Sequence, residues 1–253
     1  MKIITYNVNG LRAALKKDWL GWLKTEAPDV VCLQEIKATP DQVPEILMLE
    51  QMGYEHYWYP AQKKGYSGTA ILTRKSPLHI EYGCGHEDYD FEGRMIRADF
   101  EDLSVMSVYF PSGTTGDIRQ TFKYRFLDDF QSYVDNLKKE KKLVVCGDFN
   151  ICHRAIDIHN PKSNANTSGF LPEEREWMEN FINSGFVDTF RHTNPDPHHY
   201  TWWSYRAGAR ARNLGWRIDY NMVSQNLSER IQKAEILSHA VHSDHCPVVL
   251  TLD

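Results

Sequence analysis

The chain has 253 residues, of which 42% are hydrophobic and 25% charged, with a net charge of −5. This length, uninterrupted by a low-complexity or Pro/Gly/Ser-rich linker, is expected to form a single domain over 1–253. The acidic balance speaks against a protein that coats nucleic acid by bulk positive charge, though not against a local basic surface beside a cleft. The five cysteines are scattered without C-x-x-C spacing, which speaks against a disulfide framework or a zinc site.

No apolar run approaches membrane-spanning length, and the first residues read as a strand, not as a secretion leader. A soluble intracellular protein that avoids membranes is expected. Strands are predicted at Lys2–Val8, Asp29–Leu33, Tyr54–Tyr59, Thr69–Thr73, Arg94–Phe100, Ser104–Phe110, Leu143–Cys146, Trp216–Val223 and Pro247–Leu252. Between Asp117 and Lys139 the apolar residues Ile118, Phe122, Phe126, Phe130, Val134 and Leu137 recur at helical spacing. A second helix starts at Pro172, carries Glu173 and Glu174 in its first turn, and stops before Gly185; Trp177, Met178, Phe181 and Ile182 form its stripe. Strand-helix-strand runs at Ile3–Leu33 and Val108–Cys146 imply parallel crossovers, while adjacent strands imply hairpins. The sheets should be mixed, packed face to face with helices outside.

Polar residues at the ends of apolar strands carry the chemical information, because burying them costs free energy unless each has a partner or a task. In Tyr6–Gly10, strand alternation puts Asn7 and Asn9 on one side, although Asn9-Gly10 alone reads as a turn and helix cap. Glu35 ends the apolar run Val30–Leu33 and is followed by Lys37; one such carboxylate can anchor a hard cation that keeps its remaining waters. Tyr109 ends another strand before Pro111, with a hydroxyl able to donate to a phosphate. Leu143–Cys146 breaks at Gly147 into Asp148 and Asn150, spaced by two, which a turn alone does not require. Asp219 and the Asp244-His245 pair flank the last strands, where a carboxylate could orient the imidazole.

Gathered at one sheet edge, these groups supply what phosphodiester hydrolysis needs: a polarised phosphoryl oxygen, an activated water and stabilisation of added negative charge. Motifs for nucleoside triphosphates, dinucleotides, zinc proteases and acyl-transfer serine enzymes are absent from the sequence.

The stretches Tyr6–Ala13, Leu33–Lys37, Gly65–Gly68, Tyr109–Pro111, Cys146–Asn150, Gly215–Tyr220 and Ser243–Pro247 resemble, in order and nearly from end to end, the motifs of the exonuclease III and abasic-site endonuclease family. Leu171–Met178 and Val187–Arg191 also look like family stretches. The resemblance implies a DNase I-like four-layered α/β sandwich, two packed mixed β-sheets flanked by helices. It implies hydrolysis of the phosphodiester 5′ to abasic sites in double-stranded DNA, leaving a 3′-hydroxyl, with 3′-to-5′ exonuclease and 3′-end-cleaning activities. The implied cofactor is Mg²⁺, with Mn²⁺ as substitute, and the implied partners are duplexes bearing abasic sites or blocked 3′ ends. A monomer is expected, cytoplasmic in a bacterium and nuclear in a eukaryote.

Roles carry over onto matching positions. Glu35 becomes the principal metal ligand with Asn7, Asn9 and Asp244 near the ion. Asp148 positions or deprotonates the attacking water, Asn150 and His245 hold the scissile phosphate, Asp219 orients His245, and Tyr109 contacts the phosphate. A second arrangement adds a metal at Asp148, Asn150 and His245; one metal with Asp148 as base is favoured here. Arg12, Lys17, Tyr66 and Asn164 match positions that grip the DNA backbone, which carry no base information. From Thr201 to Ile218, Arg206, Arg210, Arg212 and Arg217 alternate with Trp202, Trp203, Tyr205 and Trp216 with no acid between them, a mixture suited to a loop entering a duplex. Trp202 and Trp216 match the walls of a pocket for an extruded base-free sugar. Ser112 departs from the family pattern, which often has an amide there, and Arg206 lies where relatives vary.

Overall fold

A computed structural model describes residues 1–253. Twelve strands are formed: β1 (Lys2–Asn7), β2 (Val30–Gln34), β3 (Glu55–Tyr59), β4 (Thr69–Thr73), β5 (His79–Tyr82), β6 (Met95–Asp99), β7 (Ser104–Tyr109), β8 (Leu143–Asp148), β9 (Phe186–Asp188), β10 (Asp219–Ser224), β11 (Ile231–Ile236) and β12 (Val248–Leu252). The helices are α1 (Leu11–Leu15), α2 (Trp19–Glu26), α3 (Ile46–Gln51), α4 (Glu87–Asp90), α5 (Asp117–Leu137), α6 (Pro172–Asn183) and α7 (Thr189–Thr193).

The strands form two six-stranded mixed sheets, ordered β11-β12-β1-β2-β4-β3 and β5-β6-β7-β8-β10-β9. Each sheet is built around one parallel pair, β1 with β2 and β7 with β8, flanked by antiparallel neighbours. Both pairs need a crossover, supplied by α1–α2 and by α5, as the strand-helix-strand runs predict. The consequence is directional. The parallel pairs end at the same edge of the sandwich, and the antiparallel β10 and β12 begin there.

Alternation along the strands sorts side chains into three apolar layers. Ile3, Val30, Cys32, Val105, Val144, Cys146 and Val223 fill the space between the sheets. Tyr6, Val31 and Leu33 face the helices of the N-terminal region, packing on Leu11, Trp19, Leu23 and Leu49. Val108, Val145, Tyr220 and Met222 pack on the stripes of α5 and α6 through Phe126, Phe130, Met178 and Phe181. Helices, sheet, sheet and helices thus stack in the four layers expected.

Several boundaries differ from the sequence reading. The strand expected at Trp216–Val223 begins only at Asp219; Trp216 instead makes isolated bridges to Ile158 and Trp202. β8 runs through Gly147 to Asp148, where the sequence suggested a break. Gly147 is required by close approach: a Cβ there would sit 1.8 Å from the Val108 carbonyl oxygen of the parallel neighbour. Ile118, expected on the apolar stripe of α5, is 87% exposed. Gly147→Ala is expected to force β7 and β8 apart and lower stability by about 3 kcal/mol, measured by urea denaturation.

Candidate active site

The inward-facing positions of the inter-sheet layer become more polar toward the shared edge. On β1 they read Ile3, Thr5, Asn7; on β7, Val105, Ser107, Tyr109; on β8, Val144, Cys146, Asp148; on β10, from the interior outward, Val223, Asn221, Asp219. Thr5, Gln34 and Ser107 form the transition zone, with Thr5 Oγ1 donating to Gln34 Oε1 at 3.1 Å and Gln34 Nε2 to Ser107 Oγ at 3.0 Å. These bonds satisfy buried polar atoms that would otherwise destabilise the layer.

At the edge itself Asn7 is the hub. Its amide nitrogen donates to Glu35 Oε1 and Asp148 Oδ2, both at 2.9 Å, linking carboxylates from different sheets. Two similar turns follow the strands: the Asn9 N–H donates to Asn7 Oδ1 at 3.0 Å, and the Asn150 N–H to Asp148 Oδ1 at 2.8 Å. Asn9 (φ 45°) and Asn150 (φ 51°) are left-handed, a conformation asparagine tolerates better than most residues. Simple strand alternation therefore does not account for either residue; the chain folds back, and the turn delivers the second amide to the same cavity.

That cavity, about 250 Å³, is lined by Asn9, Glu35, Tyr109, Asp148, Asn150 and Asp244, together with His245, Trp202 and Trp216. Asn9 Nδ2 donates to Asp244 Oδ1 at 3.0 Å, Trp202 Nε1 to Asp244 Oδ2 at 3.0 Å, and Lys37 Nζ reaches both Asn9 Oδ1 (2.5 Å) and Glu35 Oε2 (2.9 Å). His245 Nδ1 lies 2.8 Å from Asp219 Oδ2, and its Nε2 lies 3.9 Å from Asp148 Oδ2. Sequence reasoning missed Thr114, Ser168, Gly169 and Ile218 in the lining, because nothing in their local pattern marks them.

Electrostatically the cup is short of positive charge. Burial, and then repulsion from Asp219, push the Asp148 carboxyl up to about 8 despite the opposing influence of His245. Burial alone would lower His245, but the charge and hydrogen bond of Asp219, with the charges of Asp148 and Asp244, together outweigh it and the imidazole rises to about 10. Burial likewise opposes ionisation of Glu35, but Lys37, the Asn7 hydrogen bond and His245 together outweigh it, leaving that carboxyl below its usual value. Tyr109 is held protonated by burial and by the nearby Glu35 and Asp148. Glu35, Asp148 and His245 each offer a ligand atom, all within 4.8 Å of one another. Two carboxylates this close together suit a hard divalent cation. The residues fit such an ion.

Two tryptophans also line the cavity. Trp202 and Trp216 meet edge to face, with ring centroids 6.0 Å apart at 90°. Not every arginine of the Thr201–Ile218 segment can face a ligand, contrary to the mixture expected from sequence. Arg217 is buried, bonding Asp157 Oδ1 at 2.7 Å and Asp188 Oδ2 at 2.7 Å, and Arg210 donates to the carbonyls of Ser238, Ala240 and Ser243. Their acids and carbonyls come from distant segments, invisible to local composition. Arg206 and Arg212 are exposed.

The remaining backbone-gripping candidates lie outside the cavity. Arg12 and Lys17 are exposed beyond β1, Lys17 Nζ donating to the His242 carbonyl. The Asn164 amide donates to the carbonyls of His159 and Asn160 within its own turn. Tyr66 is half-buried, its hydroxyl accepting from Arg94 and Arg119. It lines a neighbouring groove of about 310 Å³ with Lys63, Lys64 and Lys37.

Comparison with known proteins gives a consistent pattern. Residues 4–245 match the profile of the Endonuclease/Exonuclease/phosphatase family. An exodeoxyribonuclease of Bacillus subtilis is 47% identical over 255 residues, covering 100% of both chains. The DNA repair nuclease APEX1 of Danio rerio is 41% identical over 100% of this chain and 82% of its own. Among solved structures, an AP endonuclease from Archaeoglobus fulgidus superposes with a TM-score of 0.90 at 31% identity, covering 100% of this chain and 99% of that one. A 3′ phosphatase from Neisseria, solved with a product DNA hairpin, gives 0.92 at 30% identity over 100% and 99%. With fold, cavity and relatives in agreement, the chain belongs to the endonuclease/exonuclease/phosphatase family.

Proposed function

We propose that this chain is a metal-dependent DNA repair nuclease that hydrolyses the phosphodiester 5′ to abasic sites in duplex DNA, leaving a 3′-hydroxyl, and cleans or trims 3′ ends. The observation that carries the reading is the Asn7 bridge between Glu35 and Asp148, which ties a cation-binding carboxylate to a proton-accepting one at a tryptophan-walled cavity. Its full-length exodeoxyribonuclease and AP endonuclease relatives support the substrate class.

Glu35 would hold Mg²⁺, or Mn²⁺ in its place, with Asn7, Asn9 and Asp244 around it. Bound there, the ion would polarise a phosphoryl oxygen and neutralise part of the developing charge. Asp148, oriented from both sides by the Asn7 amide and the Asn150 N–H, takes a proton from water as its oxygen attacks phosphorus. The P–O3′ bond breaks with its electron pair staying on the 3′-oxygen of the upstream strand, which takes a proton from solvent to become the 3′-hydroxyl, and the phosphate stays on the abasic sugar. His245, kept protonated by Asp219, and Tyr109, kept protonated by burial, donate to non-bridging phosphate oxygens. Asn150 borders the same phosphate.

Trp202 and Trp216 bound a space suited to a sugar without a base. An intact nucleotide would have to displace aromatic walls. Arg12, Lys17, Tyr66 and Asn164, with the exposed Arg206, would run along the DNA outside the cavity. Salt should weaken that grip without changing the choice of lesion.

The deciding assay incubates a duplex carrying one abasic analogue with Mg²⁺ or with a chelator. Cleavage immediately 5′ to the lesion, absent with chelator, is expected; inertness toward this duplex would refute the reading. Asp148→Asn should keep DNA affinity while single-turnover cleavage falls by about 3 orders of magnitude or more.

The pH dependence follows from the same groups. A carboxyl raised to about 8 favours the folded metal-free protein most below its ordinary value of 3.8, and that contribution is lost as pH climbs through about 8. His245 contributes fully below 6.5 and loses its contribution as pH rises through about 10. Because the ion competes with the proton on Asp148, the rise in melting temperature on adding Mg²⁺ should be larger near about pH 8.5 than near about pH 6. A pH-independent gain in calorimetry would contradict this.

A further inference from the structure

Behind the cavity lies an ion pair to which the chemistry above gives no task. Lys123 of α5 and Glu174 of α6 are both 0% exposed, with Nζ 2.5 Å from Oε1. A buried ion pair is a poor device for stability alone, since apolar residues of similar volume often serve as well or better. Its other bonds suggest why it is charged.

Lys123 Nζ also donates to the Asn150 carbonyl at 2.8 Å. Glu174 Oε2 accepts the N–H of Gly169 at 2.6 Å and of Leu171 at 3.0 Å. Gln120 extends the network: its Nε2 donates to Glu174 Oε1 at 3.1 Å, and its Oε1 accepts from Ser168 Oγ at 2.7 Å. Asn150, Ser168 and Gly169 all line the cavity. Three points of one wall therefore hang from a single buried pair.

Each point matters for geometry. Asn150 is left-handed, and anchoring its carbonyl fixes the turn from which its N–H orients Asp148. Gly169 (φ 96°) sits so tightly that a Cβ would lie 2.9 Å from the Trp216 ring and 3.2 Å from the Asn150 carbonyl oxygen. The glycine is a spacer between the catalytic turn and the tryptophan wall, and Glu174 holds its backbone in place.

We propose that Lys123 and Glu174 are positioning residues that set the Asp148–Asn150 turn and the Trp216 wall at a fixed separation, so that cleavage rate depends on the pair while DNA affinity does not. The proposal rests on the nuclease reading above. Phosphodiester chemistry is sensitive to displacements of an ångström or less, whereas Lys17 and Tyr66, which would grip the backbone outside the cavity, bond to His242, Arg94 and Arg119 and not to the pair. A pair that only fastened α5 to α6 would affect melting temperature and leave the cleavage rate alone.

The test is Lys123→Met/Glu174→Gln, a double substitution that removes both charges together and so leaves neither stranded. Its fold is checked by circular dichroism, and single-turnover cleavage of an abasic duplex with Mg²⁺ is compared with DNA affinity in chelator. Cleavage slowed about 10- to 100-fold is expected, with affinity within about twofold of the parent. A folded double variant cleaving at the parental rate would overturn the proposal, as would equal losses of rate and affinity. If the double variant does not fold, Gln120→Met at its half-buried position removes the Ser168 arm alone: slower cleavage at unchanged affinity supports the clamp, and an unchanged rate overturns it. An inert parent enzyme would overturn the nuclease reading and the clamp together; an active parent with an equally active variant would overturn the clamp alone.

Discussion

The structure depends on one constraint: the layer between the sheets must be apolar at one end and ionisable at the other, along the same strands. Because the parallel pairs β1–β2 and β7–β8 finish where β10 and β12 begin, a few inward-facing positions bring Asn7, Tyr109, Asp148 and Asp219 to one edge. Burial of this edge, and then repulsion between its carboxylates, raise Asp148, and Asp219 helps draw His245 up. The fold tolerates the strain because amides intervene. Asn7 donates to an acid on each sheet, and Lys37 pairs with Glu35 from the outside.

Much of this was legible in the residues. Central strands such as Val30–Gln34 and Leu143–Asp148 are buried on both faces, so their apolar runs stand out. The edge strands β5, β9 and β11 went unseen for the opposite reason: His79–Tyr82 and Ile231–Ile236 are half-exposed and mixed in polarity, and Phe186–Asp188 is only three residues long. The site was visible as polar groups ending apolar strands, and the family motifs named the same positions. Hidden were features set by distant partners: Arg217 looked like a basic loop residue until Asp157 and Asp188 closed on it, and Glu174 looked like a helix-start acid until Lys123 reached it.

The aromatic wall illustrates how remote ion pairs serve a local surface. Arg217, the residue next to Trp216, is anchored by two buried acids, while Arg191 shares Asp157 at 2.6 Å. Breaking one member of such a network strands a buried charge at a cost of about 3–5 kcal/mol. The tryptophan is thus held from behind by electrostatics and from the side by Gly169. If this wall selects a base-free sugar, as proposed, such rigidity serves it, since a wall able to swing would admit an intact nucleotide.

The central claim is that distant strand ends form one seat for a divalent ion beside the proton-accepting carboxylate. Diffraction from Mn²⁺-soaked crystals at the manganese absorption edge tests it directly. The account predicts an anomalous peak touching the Glu35 carboxylate, inside the cavity bounded by Asp148 and His245. Strong peaks only elsewhere, with Glu35 uncoordinated, would contradict it.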